Sequence, residues 1–196
     1  GSIDTAEGPR NGDAHELSGA SNVAAAYEDV NPYLLAMPAS PHLAARAEGV
    51  TIAPERIVRA YERLAARSDV IIVEGAGGWY APISATGTMA DIAQKMYERL
   101  APSGFPLSIL LVVGMRLGCL NHALLTCEAI RARGLPFAGW IANKLQAEMP
   151  LVRENIDTLT SRFGAPPVAV VPAGVGASGM GPPSWAMQAV DSLVSL

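Results

Sequence analysis

Two carboxylates in this chain stand where an α/β protein could use them. Residues 69–73 (DVIIV) form an apolar, β-branched run that predicts a strand buried on both faces of a parallel sheet, and Glu74 ends it. Gly75, Ala76, Gly77 and Gly78 follow, which lets the backbone turn sharply and approach a ligand without an intervening side chain. Ligands of open α/β sheets bind at the carboxyl ends of the strands, so Glu74 is at the expected place for chemistry. The pattern E-G-x-G-G by itself also suits a tight strand-to-loop turn with a solvated acid. The second carboxylate, Asp13, closes the turn-rich stretch Arg10–Asp13, just ahead of helical signals at Ala14–Leu17. It reads either as a helix N-cap or as a ligand for Mg²⁺, which takes one or two carboxylates together with water and phosphate oxygens.

The elements that must position these acids follow in order. Residues 1–13 are polar and turn-rich, and residues 31–41 (NPYLLAMPASP), with Pro32, Pro38 and Pro41, predict an irregular connection. Ser40, Pro41 and His42 open a short helix ending near Gly49, and Pro54 starts an amphipathic one. In that helix Ile57, Val58, Tyr61, Leu64 and Ala65 share a face, while Glu55, Arg56, Arg59, Glu62, Arg63 and Arg67 point to solvent. After the strand at 69–73, a helix is expected over about 88–100, a loop over 101–106, and a buried strand over 107–113 ending at Gly114. Residues 115–120 form its exit loop, and a helix runs on to Arg133, stopped by Gly134. A strand at 137–142 with Asn143 at its end, a helix at 148–163, a strand at 168–171 ending at Pro172, and a helix at 183–196 complete the chain. This alternation predicts parallel βαβ units in a single α/β domain, with functional residues along one edge of the sheet at Glu74, 114–121, Asn143 and 172–174.

Composition limits the alternatives. With 50% hydrophobic and only 16% charged residues, the chain has the makings of a large buried core rather than of a disordered segment. A net charge of −4 without a basic stripe argues against nucleic acid as a partner. No run approaches the ~20 apolar residues of a membrane span, and residues 1–16 lack a signal-peptide core, so a cytoplasmic protein with no membrane partner is expected. Cys119 and Cys127 fall eight apart in one helix or its entry, about 12 Å apart along a helix axis and beyond disulfide reach, and read as small buried thiols. His15, His42 and His122 have no metal-ligand spacing, and no G-x-S-x-G elbow supports a serine hydrolase.

Three blocks, VEGAGGWYAPIS at 73–84, VVGMRLGCLNHALLT at 112–126 and GWIAN at 139–143, together resemble the dethiobiotin synthetase family in order and spacing. EGPRNGDA at 7–14 and NPYLLAMPASPH at 31–42 look like its early blocks. The resemblance implies a P-loop NTPase-like fold, a parallel sheet with helices on both faces, and commonly a homodimer. It implies an enzyme that uses ATP, Mg²⁺ and CO₂ to close 7,8-diaminononanoate into dethiobiotin by way of a carbamate and its phosphorylated anhydride. Phosphoryl transfer of this kind asks for positioning and charge neutralisation.

By the same likeness Asp13 and Glu74 would be the Mg²⁺ carboxylates, and Gly75, Gly77 and Gly78 would let phosphates and carbamate lie close to backbone donors. Asn143 would bond the adenine edge, with Pro172, Ala173 and Gly174 along the base. Ser40 is grouped with the substrate-binding residues. Gly118, Cys119, Leu120 and Asn121 open a helix whose N-terminus suits an anion, and would hold the carboxylate of the neighbouring subunit's substrate; Asn121 as an ordinary N-cap fits the same position. Asn155 stands where some members carry a substrate-binding tyrosine.

The family's phosphate loop, G-x-x-x-x-G-K-[ST], does not occur in residues 1–196, since neither Lys95 nor Lys144 follows such a pattern. The resemblance places that loop before Gly1, in a strand-loop-helix unit of roughly forty residues, and omission of this unit from the sequence is the expectation. A different class of reading is a non-catalytic binding or regulatory dimer that keeps the fold but not the nucleotide chemistry.

Overall fold

A computed structural model of the protein describes residues 2–6, 8–103 and 107–174. Its internal contacts divide into two compact units, Gly1–Ser103 and Gly104–Leu196.

The first unit opens with an antiparallel hairpin, β1 (Ser2–Thr5) and β2 (Gly8–Asn11), in the register Ser2↔Asn11 to Thr5↔Gly8. Its residues are mostly polar and half of them exposed, so no alternating apolar pattern announces it, and the stretch read as polar and turn-rich contains a ladder. Helix α1 (Gly12–Ala20) follows, and its N-cap is Asn11, whose Oδ1 accepts from the Ala14 amide at 3.0 Å. The capping alternative for Asp13 is thereby excluded: Asp13 lies in the first turn, exposed.

Helices α2 (Tyr27–Val30), α3 (Pro41–Ala47), α4 (Pro54–Ala65) and α5 (Met89–Leu100) form the rest of this unit. The expected proline starts of α3 and α4 are present. Thr88 and Asp91 make a reciprocal capping box at the head of α5. The buried side chains come at helical spacing, Val58 and Tyr61 from α4 and Ile92, Met96 and Leu100 from α5.

The polar face of α4 is more than a solvated surface. Glu55 pairs with Lys95 and Glu62 with Arg99, so the charges of α4 meet those of α5. Arg63 reaches Asp29 at 2.6 Å, Arg67 donates to the Ala24 carbonyl, and Arg56 lies over the Tyr33 ring.

The strand expected at 69–73 is not formed. Residues 70–75 have no ladder partner among the described residues, and Val70 and Ile72 are 64% and 79% exposed. Apolar composition marks which residues could be buried in a sheet, but a strand exists only through its neighbours.

The second unit is a parallel three-stranded sheet, β3 (Ile109–Met115), β4 (Phe137–Lys144) and β5 (Ala169–Val171), in the order β3-β4-β5. Helix α6 (Cys119–Ala132) links β3 to β4, and α7 (Val152–Phe163) links β4 to β5, as parallel pairing requires. Val113, Met115, Trp140 and Ala142 from the sheet pack with Cys119, Ala123 and Cys127 of α6 and Leu159 and Phe163 of α7. Trp140 is fully buried, donates from Nε1 to the Ala165 carbonyl at 3.0 Å, and meets Phe163 edge-on at 5.4 Å. Helix α7 begins four residues later than its composition suggests. Pro150 disfavours helix at Met149, and Leu151 takes a left-handed φ of 54° before the helix starts. Residues 101–103 form a 3₁₀ turn, while 104–106 and the helix expected at 183–196 lie outside the described residues.

Both cysteines are buried and free, as expected. Burial pushes the Cys127 thiol and the Tyr61 phenol above their ordinary values. Their neutral forms are thus favoured in the folded chain, so stability is intact below the unfolded-state pKa values and falls as pH rises through the folded ones. The expected result is a loss of stability at alkaline pH that Tyr61→Phe reduces, measured by denaturant unfolding at pH 8 and pH 10.5. An unchanged slope in that variant would contradict it.

Candidate functional site

A cavity of about 1150 Å³ lies within the first unit, and Asp13 and Glu74 both line it. They reach it by different routes. Asp13 is held by the capped first turn of α1, and Asn11 is itself fixed by donation of its backbone amide to Tyr27 Oη at 2.7 Å. Glu74 lies in the irregular stretch that leads into the Gly75–Gly78 turn.

The segment just past that turn is tied to the head of α5. Two of the helix's first amides, which have no intrahelical acceptor, donate outward: Met89 to the Ala81 carbonyl at 3.0 Å and Ala90 to the Trp79 carbonyl at 2.9 Å. Gly77 has a φ of 87°, and a Cβ there would meet Ala81 Cβ at 3.1 Å, whereas a Cβ on Gly78 would meet nothing within 4 Å. Gly77→Ala is therefore expected to cost about 1 kcal/mol or more in denaturant unfolding, with Gly78→Ala changing it little. Equal effects would show that the turn is not under the constraint described.

Asp29 is a third acid lining this cavity, but Arg63 neutralises it. Asp13 and Glu74 are left as its carboxylates available to a cation. Among the described residues no group of three or more His, Cys, Asp or Glu could cage a metal. A pair of carboxylates suits Mg²⁺, which keeps much of its water and shares phosphate oxygens, and does not suit a metal needing a full protein cage. Gly75, Ala76 and Gly77 line the same cavity. So does the loop of residues Leu35, Met37, Pro38, Ala39 and Pro41. Ser40, within that loop, is the N-cap residue of α3, and its side chain makes no capping bond.

In the second unit the expected residues gather at the carboxyl end of the sheet. Gly114, Asn143 and Val171 form one row across β3, β4 and β5. Asn143 lies within β4, which runs on to Lys144, and Pro172, Ala173 and Gly174 leave the sheet beside it. Gly118, with φ 93°, is the N-cap of α6, which corrects the capping alternative for Asn121. The Cys119 side chain is buried and its amide donates to Arg116, while Leu120 packs against the core. Asn121 is exposed in the first turn of α6, where backbone amides lack intrahelical acceptors. Asn155 donates from Nδ2 to the Leu151 carbonyl at 2.7 Å, which commits one of its two amide protons to the start of α7.

Sequence reasoning missed Asn11, Tyr27 and the anchors of the 35–41 loop. The first had a local signal, a capping residue one position before a helical glycine; the others depend on contacts between distant segments.

A family model described as an AAA domain matches residues 5–175. The ATP-dependent dethiobiotin synthetase of Aromatoleum aromaticum is 47% identical over 167 residues, which cover 85% of this chain and 70% of that protein. The corresponding enzyme of Cellvibrio japonicus is 44% identical over 86% of this chain and 70% of its own length. That of Xanthomonas oryzae pv. oryzae is 46% identical over 83% of this chain and 68% of its own.

Proposed function

The chain belongs to the ATP-dependent dethiobiotin synthetase family, an α/β family of the P-loop type, and on that premise we propose that it closes 7,8-diaminononanoate, CO₂ and ATP into dethiobiotin, ADP and phosphate. In this reaction an amine adds to CO₂ to give a carbamate, the carbamate oxygen takes the γ-phosphoryl group, and the second amine attacks the carbamoyl carbon and expels phosphate. No side chain needs to become covalently attached, so the protein's work is to hold and neutralise.

The observation that supports this reading most is that two acids distant in sequence, Asp13 and Glu74, line one cavity with a glycine turn between Glu74 and the next helix. They would hold Mg²⁺, which supplies positive charge to the phosphate oxygens as negative charge shifts between them. The Gly75–Gly78 backbone lets the phosphates lie close. Asn143 would bond the adenine edge and Pro172, Ala173 and Gly174 flank the base. Ser40, Gly118, Cys119, Leu120, Asn121 and Asn155 form the substrate-binding set, with Asn121 and its neighbouring amides toward the substrate carboxylate and Cys119 confined to structural support. The protein would act as a cytoplasmic homodimer. No helix of the described residues is long and apolar enough to cross a membrane.

Turnover of diaminononanoate with ATP, Mg²⁺ and bicarbonate tests the activity, and calorimetric titration with Mg-ATP tests the nucleotide site separately. Heat of binding with product formation is expected. Binding of neither nucleotide nor diamine would favour a non-catalytic dimer, and a stable monomer in sedimentation at micromolar concentration would remove the shared-site role of Asn121.

A further inference from the structure

We propose that Glu48 is a positioning residue for the diamine substrate: its carboxylate holds the 35–41 loop in the shape that makes it a wall of the Asp13 and Glu74 cavity. The proposal rests on the dethiobiotin synthetase reading for the identity of the substrate, and on the hydrogen-bond geometry for the anchor. Glu48 Oε1 accepts from two successive loop amides, Ala36 at 2.9 Å and Met37 at 3.1 Å. Both are bonds to a charged acceptor and are therefore stronger than ordinary amide contacts.

Two features set this carboxylate apart from an ordinary surface acid. Glu48 is the C-cap of α3, where the helix dipole is negative and an acid is unfavourable, so the helix gives no reason for it to be there. The loop itself has few ways to hold its shape. Pro38 and Pro41 supply no amide donors, and its internal backbone contact is the Ala39 amide on the Met37 carbonyl at 2.9 Å. Its entry is pinned where the Ala53 amide donates to Tyr33 Oη at 2.9 Å and the Arg56 guanidinium lies 4.7 Å over the Tyr33 ring. Glu48 supplies the next anchor along the chain, and Leu35, Met37, Pro38, Ala39 and Pro41 then present apolar surface to the cavity. That surface suits the hydrocarbon chain of a long diamino acid, and neither ATP nor CO₂ calls for it.

The test compares Glu48→Ala and Glu48→Gln in the complete enzyme by steady-state kinetics, with hydrogen exchange followed at the Ala36 and Met37 amides. Glu48→Ala is expected to raise KM for the diamine roughly tenfold while kcat and KM for ATP stay within about twofold, because a loosened wall loses substrate positioning and leaves the phosphate end alone. Glu48→Gln, which keeps an acceptor oxygen, should recover most of the loss, and exchange at the two amides should quicken only in the alanine variant. An unchanged diamine KM, or equal rises in both KM values together with a fall in Tm, would overturn the proposal. Should the unaltered enzyme form no dethiobiotin, the functional reading fails by itself, and the exchange data still judge the anchor: equal protection in both variants refutes it.

Discussion

Glu74→Gln is expected to lower kcat for dethiobiotin formation by about 10²–10³-fold, the usual cost of removing one preorganised charge from a phosphoryl-transfer site. The substitution keeps size and shape and removes only the negative charge. Glu74 is exposed, so stability should be unaffected and the loss should be kinetic. Mg²⁺ has few protein ligands in any case, and Asp29 cannot substitute because Arg63 holds it. The Mg²⁺ concentration giving half-maximal rate should therefore rise as kcat falls. Undiminished turnover in this variant would take Glu74 out of the mechanism.

Trp140→Ala has the largest expected effect on stability. The side chain is wholly buried between α7 and the sheet, touches Phe163 edge-on and satisfies the Ala165 carbonyl. Removing it leaves a large cavity and an acceptor without its donor, for a loss of about 3–5 kcal/mol in chemical denaturation. That is a large part of what a domain of this size has. Trp140→Phe keeps the ring contact and loses the hydrogen bond, and should cost markedly less. Because β4 also carries Asn143, the alanine variant should bind nucleotide weakly where it remains folded. A loss below about 1 kcal/mol would mean that the site collapses around the gap.

Most of the second unit was legible in the sequence because its signals are local. The aliphatic run of β3, the apolar stretch that opens β4, the glycine after α6 and the length of α6 each point to one outcome. The Pro54 start of α4 and the spacing of Val58 and Tyr61 did the same in the first unit. What failed was relational. Residues 69–73 have the composition of a central strand, but pairing depends on neighbours, and Val70 and Ile72 stay exposed. The hairpin of residues 2–11 depends on backbone pairing that polar residues do not advertise.

The site was legible unevenly for the same reason. Asn11 and Asp13 are both good capping residues two positions apart, and only the inclusion of Gly12 in α1 decides that Asn11 caps and Asp13 is released. Spacing alone could not bring Asp13 and Glu74 to one cavity; likeness to the family suggested it. The anchoring of the 35–41 loop by Glu48 had no sequence signature, since a carboxylate reaching two amides a dozen residues away leaves no periodic trace.

The most direct measurement is a titration of the protein with Mn²⁺ as a paramagnetic stand-in for Mg²⁺, followed by water-proton relaxation with a non-hydrolysable ATP analogue present. The unaltered protein should bind one ion per chain. Asp13→Asn and Glu74→Gln should each weaken that binding, with the double variant little worse than either single one, because both acids serve the same ion. Binding of equal strength in all four proteins would contradict the account at its centre.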